Sequence, residues 1–252
     1  MLPITLLSLV WFPQFGGMAE VAHDVGANSR LRGTIDLGLS MDLVENRSWA
    51  LEIMTSNRTI VRENTRRETV VRVSPEQVYY RVGARMRFPL AGQRAWALFA
   101  HHQSNHDVDS DDQALNRETI SYEIYGVELL GKEYTVGAGI YYDRGTRLDG
   151  RKQYWPFDYY LAGSHGRLNF PLGYGWYTAL NCSLIVHRNP ETPLPYAHVS
   201  GELDVGWRYP GLQGEFRGFL RGSRVADYQF LGDQPEHLIL LGISIRSLSY
   251  SQ

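Results

Sequence analysis

The sequence has 252 residues, a formal net charge of −2, 25 glycines and one cysteine. A chain of this length suits one large β domain. Its balanced charge excludes a nucleic-acid partner held by a basic surface, and Cys182 alone excludes an intrachain disulfide. No apolar run approaches the ~18 residues of a membrane-spanning helix.

The chain opens on "MLPITLLSLVWFPQFGGMAE", a short apolar core followed by small residues up to Ala19, with no Lys or Arg before it. Residues 1–19 read either as a secretory signal segment or as a first strand, and residues 20–252 as a single barrel domain. From Thr34 onward the pattern has period two. Ile35, Leu37, Leu39, Met41 and Leu43 share one face, against Thr34, Asp36, Gly38, Ser40 and Asp42 on the other. Such alternation marks a strand with one apolar and one polar face.

The pattern recurs along the chain. Val78, Tyr80, Val82, Ala84, Met86 and Phe88 alternate with Arg81, Arg85 and Arg87; Tyr134, Val136, Ala138, Ile140 and Tyr142 follow, then Val199, Leu203, Val205 and Trp207, and finally Ile239, Leu241, Ile243 and Ile245. Short turn signals, at Gly131-Lys132, Pro171-Leu172-Gly173 and Pro210-Gly211, alternate with long polar stretches at 105–116, 144–154, 188–195 and 225–235. Long strands joined this way predict an all-β antiparallel transmembrane barrel, with aromatics such as Trp96, Trp176 and Trp207 in its interfacial girdles. Arg81, Arg85, Glu202, Asp204, Arg208 and Arg221 fall on the polar faces and so favour a polar lumen over a soluble barrel.

The reading gives strands near 31–44, 48–62, 68–88, 93–104, 117–130, 132–143, 155–168, 174–187, 196–209, 212–224 and 236–249. That is eleven, whereas such barrels usually have an even number. About twelve strands are therefore expected, within a range of ten to twelve. Residues 3–15 would supply the twelfth, unless the region 48–88 is wrongly divided.

The chemistry concentrates in "AHHQSNHDVDSDDQALNR", Ala100–Arg117. On the strand that enters it, His102 and Ser104 continue the outward row of Trp96, Leu98 and Ala100, while His101 turns to the other side. Residues two apart on a strand project the same way, roughly 6.5–7 Å apart, a gap an imidazole can span. On the following strand Ile120, Tyr122 and Ile124 read as the apolar outward row, and Asn116 has their parity. The expectation is a Ser-His-Asn acyl-transfer site facing lipid, with Ser104 as nucleophile, His102 as base and Asn116 orienting the base. A metal site built from His101, His106, Asp107 and Asp109 is a rival, but the two adjacent histidines point to opposite sides. A plain polar loop is the other.

"HQSN" at 102–105 followed by "NR" at 116–117 resembles the outer-membrane phospholipase A family, whose motif is His-x-Ser-Asn-Gly with a downstream Asn-Arg at this spacing. The resemblance implies a twelve-stranded barrel in the bacterial outer membrane that hydrolyses phospholipid esters, depends on calcium and acts as a homodimer. It assigns the same roles to Ser104, His102 and Asn116, and it makes Asp107, Asp109, Asp111 and Asp112 candidate calcium ligands, oxygen donors suited to that ion. His106 stands where the family has glycine, "LFAH" replaces an upstream Pro-Gly, and "DQAL" replaces Ser-Arg-Ser-Trp. The segment also resembles a family of uncharacterised outer-membrane barrels with a His-x-Ser-Ser-His segment. It is similar as well to the lipid A deacylases, which pair His-x-Ser-Asn with an acid on a smaller barrel; no residue at the corresponding place here supplies that acid, although Glu118 and Glu123 are nearby. The alternative to an enzyme is a non-enzymatic barrel, either a small pore or a scaffold.

Overall fold

In the computed structural model, residues 9–26, 31–63, 73–107, 119–143, 147–148, 151–152, 161–187, 196–225 and 236–247 are described. They form strands and turns only. In chain order these are β1 (Val10–Trp11), β2 (Phe15–Asp24), β3 (Leu31–Glu45), β4 (Ala50–Glu63), β5 (Val73–Leu90), β6 (Arg94–Asp107), β7 (Thr119–Leu130), β8 (Tyr134–Asp143), β9 (Arg147–Leu148), β10 (Arg151–Lys152), β11 (Leu161–Gly173), β12 (Trp176–His187), β13 (Tyr196–Pro210), β14 (Gly214–Val225) and β15 (Glu236–Ser247).

Twelve of these are long, β2 to β8 and β11 to β15. Each pairs antiparallel with its neighbour, and β8 pairs with β11. The ring closes where β15 meets β2, with Ile243 opposite Val21 and Arg246 opposite Met18. Closure removes every long sheet edge, a requirement for a sheet immersed in lipid. The twelfth strand is Phe15–Asp24, later in the chain than the expected 3–15. Its contrast is weak because Ala19, Val21 and His23 face one way and Met18, Glu20, Ala22 and Asp24 the other, with small residues in both rows.

Tight turns join the strands at one end. Asn46 accepts from the backbone of Ser48 and Trp49 at 2.7 and 3.0 Å, and Gly211 donates to the Gly214 carbonyl at 2.7 Å. Between β11 and β12 the turn residues are Tyr174 and Gly175, both with positive φ, at 51° and 84°. Two such residues make the primed turn whose twist matches the flanking strands. The turn thus sits just beyond the expected Pro171–Gly173, where a bulge lies instead.

The outer wall is apolar. Ile35, Leu37, Leu39, Val82, Leu98, Val136, Ile140, Leu203, Val205, Leu220, Leu241 and Ile243 are all exposed. Aromatics crowd the tight-turn end: Phe15, Phe170, Tyr174, Trp176, Trp207 and Tyr209 are exposed, and Trp96 stacks on Phe88 at 4.1 Å. The opposite face of the same strands is charged and buried, with Glu20, Asp36, Asp42, Glu52, Arg85, Glu128, Asp204, Arg221 and Arg246. A closed sheet that is apolar outside and ionic inside is the architecture of an outer-membrane barrel, and it rules out a soluble one.

The lumen is laced by ion pairs. Arg221 holds both oxygens of Asp204, at 2.6 and 2.9 Å, and Glu20 at 2.6 Å; Arg246 reaches the other Glu20 oxygen at 3.1 Å. Arg58 of β4 takes Asp36 at 2.7 Å and crosses the lumen to Glu202 of β13 at 2.9 Å. Nearer the tight turns Arg85 joins Glu128 at 2.9 Å and Glu52 at 3.4 Å, and Arg87 meets Asp42 at 2.5 Å. Phe219, Tyr177, Leu238 and Leu240 fill part of the same interior, and Arg221 lies over the Phe219 ring at 4.5 Å. A cavity of about 400 Å³ remains, bordered by Glu20, Asp36, Arg58, Arg167, Glu202 and Arg221.

Candidate active site

On β6, Ala97 and Phe99 are buried toward the lumen, while Trp96 and Leu98 are exposed on the outer wall. His102 and Ser104 share the parity of the outward row, as expected. His101 has the inward parity and stacks on Phe99 at 5.2 Å. Strand alternation therefore separates the two adjacent histidines. Ser104 is only 7 % exposed, whereas the His102 side chain is 37 % exposed.

The next strand runs in the opposite phase from the one expected. Tyr122 and Ile124 are buried at 7 % and 2 %, in the inward row with Glu128, while Tyr125, Val127 and Leu129 are exposed. The outward row of β7 is therefore Ser121, Glu123, Tyr125, Val127 and Leu129, not the row of Tyr122 and Ile124. The misreading has a physical source, since β7 carries large apolar residues on both faces. Glu123 and Glu128 have opposite parity, so one of the two acids had to face lipid in either phase. The sequence alone leaves open which of the two it is, and the burial of Glu128 with Tyr122 and Ile124 puts Glu123 outward.

Register then assembles the site. Ser104 lies directly opposite Ser121, and His102 directly opposite Glu123. His102 Nδ1 lies 3.2 Å from Glu123 Oε1, and Ser121 Oγ lies 3.4 Å from His102 Nε2. An ionised carboxylate only accepts hydrogen bonds, so Nδ1–H donates to Glu123. Nε2 is then the bare nitrogen, and the Ser121 hydroxyl donates to it. That contact is long for a hydrogen bond, as is usual before substrate tightens a site.

Around this cluster the wall is apolar. Val82 faces His102 from β5, and Tyr80 faces Ser104. Tyr142 of β8 lies opposite Glu123, and Tyr80, Tyr125 and Tyr142 are all exposed. These tyrosines lie toward the long-loop end, where an upper interfacial girdle belongs. An imidazole, a carboxylate and a hydroxyl among them occupy a costly place for polar groups, which singles the cluster out as the candidate site.

Of the sequence-derived site residues, His102 and Ser104 are brought together on one wall. Asn116, Asp109, Asp111 and Asp112 lie outside the described residues, as does the side chain of Asp107. No group of three His, Cys, Asp or Glu side chains that could hold a metal occurs among the described residues. Glu123 is the sole carboxylate of the cluster, whereas calcium takes about six to eight oxygen ligands. The described residues thus do not make a calcium site.

No protein-family model matches the sequence, and no curated protein matches it. Solved barrels are similar in outline. Outer membrane phospholipase A from Escherichia coli is 11 % identical, over 97 % of this chain and 92 % of that one, with a TM-score of 0.49. The calcium-bound outer membrane phospholipase dimer of Salmonella typhi is 12 % identical, over 98 % and 93 %, also at 0.49. LpxR from Salmonella typhimurium is 9 % identical, over 92 % and 99 %, at 0.41. Likeness at this level says nothing about activity.

Proposed function

We propose that this chain is a bacterial outer-membrane acyl hydrolase that cleaves phospholipid esters on the outer wall of its barrel. The observation that carries the proposal is His102 on a lipid-facing wall, with a carboxylate at one ring nitrogen and a serine hydroxyl at the other. That is the order of groups acyl transfer needs: an orienting acceptor, a base and a nucleophile. The substrate arrives by lateral diffusion in the bilayer, so no pocket open to water is required.

In the reaction a serine oxygen attacks the ester carbonyl as its proton passes to His102 Nε2. The tetrahedral adduct collapses, and the leaving alkoxide takes that proton from His102. Water, deprotonated by the same nitrogen, then hydrolyses the acyl-serine. The products are a lysophospholipid and a free fatty acid. Two outward-parity serines flank the base, Ser104 by the "HQSN" motif and Ser121 by distance. By the resemblance Asn116 is the proposed orienting residue, while Glu123 is the acceptor found 3.2 Å from Nδ1.

Calcium enters by the resemblance alone, with Asp107, Asp109 and Asp112 as proposed ligands. No step above passes through it. A homodimer is proposed on the same ground, and crosslinking in detergent tests it. The function itself is tested by refolding the protein into detergent micelles and measuring fatty-acid release from phospholipid, beside His102→Asn. Release by the parent that is lost in His102→Asn supports the proposal. A pore is the second reading, but Arg58 spans from β4 to Glu202 on β13 across the lumen, which narrows any open path.

A further inference from the structure

We infer that the nucleophile is Ser121 and that Glu123 orients the base, so that the working triad is Ser121-His102-Glu123, split between β6 and β7. This rests on the acyl-hydrolase reading above and specifies the residues of that same site.

The argument is one of tautomer and register. Glu123 stands opposite His102 on the neighbouring strand and reaches Nδ1 at 3.2 Å. A carboxylate there keeps the proton on Nδ1, which leaves Nε2 as the ring's acceptor. Ser121 Oγ lies at Nε2, at 3.4 Å. A base can remove a proton only from a group within its reach, so Ser121 satisfies the first requirement of a nucleophile. Both residues belong to the outward row of β7, two apart, and one strand therefore carries nucleophile and orienting acid on the same face. Glu123 also differs from a neutral amide in its chemistry. Its charge stabilises the imidazolium that forms as Ser121 is deprotonated, and in a low-dielectric wall that stabilisation is large.

The covalent step can be read directly. An alkyl fluorophosphonate reacts with an activated serine: the Oγ–P bond forms, fluoride leaves, and the serine proton passes to His102. Refolded protein is incubated with a long-chain fluorophosphonate, digested, and the labelled peptide is identified by mass spectrometry. Hydrolysis is measured in parallel for Ser121→Ala and Glu123→Gln, with heat-modifiable migration on gels confirming that each variant folds.

The inference predicts a label on Ser121 and none on Ser104, with loss of both label and hydrolysis in Ser121→Ala. Glu123→Gln lowers kcat by roughly 10²-fold or more while KM holds, since glutamine orients the ring without charge. A label on Ser104, or full hydrolysis by Ser121→Ala, overturns the inference and leaves the acyl-hydrolase reading standing. If the folded parent takes no label and releases no fatty acid, the reading itself falls, and the inference with it.

Discussion

Replacing Arg221 with methionine tests the account of the lumen. Its guanidinium makes two hydrogen bonds to Asp204 and one to Glu20, and the side chains of all three are at most 6 % exposed. After the substitution Glu20 keeps Arg246, at 3.1 Å. Asp204 loses the partner of both its oxygens. Breaking a buried pair by removing one member costs about 3–5 kcal/mol, because a charge is left buried without compensation. Glu20 keeps a partner and the nearby cavity admits water, so the lower end, about 3 kcal/mol, is expected. Urea unfolding in detergent micelles, followed by tryptophan fluorescence and gel migration, measures the loss. The double variant Arg221→Met with Asp204→Leu removes the stranded charge and should regain most of the stability. A loss under about 1 kcal/mol for Arg221→Met, or no recovery in the double variant, would refute the reasoning.

Three further outcomes are expected. Arg58→Ala combined with Glu202→Ala removes the link across the lumen and raises single-channel conductance in planar bilayers, whereas the parent conducts little; a freely conducting parent would contradict the ion-paired lumen. Gly126→Ala places a Cβ 2.3 Å from the Ala138 carbonyl oxygen and 2.4 Å from the Phe99 ring, so it destabilises the barrel by about 1–3 kcal/mol in the same urea assay. Chelation of calcium should slow fatty-acid release, and Asp109→Asn with Asp112→Asn should weaken the calcium response. Release that is indifferent to chelator removes calcium and those ligands from the proposal.

Period-two alternation was enough to read the barrel, because a lipid-facing row and an ionic lumen impose opposite demands on successive residues. Ile35 to Leu43 and Ile239 to Ile245 declare their outward face without ambiguity, and the structure agrees. The strand at 15–24 escaped notice because Ala19, Ala22 and two glycines blur the contrast, and a cleavage site of small residues looks much the same. At β7 the face was misread because Tyr122 and Ile124 fill the lumen side with groups as large as those facing lipid. The outward parity of His102 and Ser104 was legible from β6 alone, since Trp96 and Leu98 fix its phase. Ser121 and Glu123 depended on cross-strand register, which a single sequence does not specify when the connecting segment is long. The stranded acid was the clue that remained, since Glu123 and Glu128 cannot both face the lumen.

The most direct test is fatty-acid release from phospholipid vesicles by the refolded protein, measured beside His102→Asn under identical conditions. The account predicts steady release by the parent and at least ~10²-fold less from His102→Asn, with both proteins showing the same heat-modifiable migration. Equal release from the two proteins, or none from the folded parent, would contradict it.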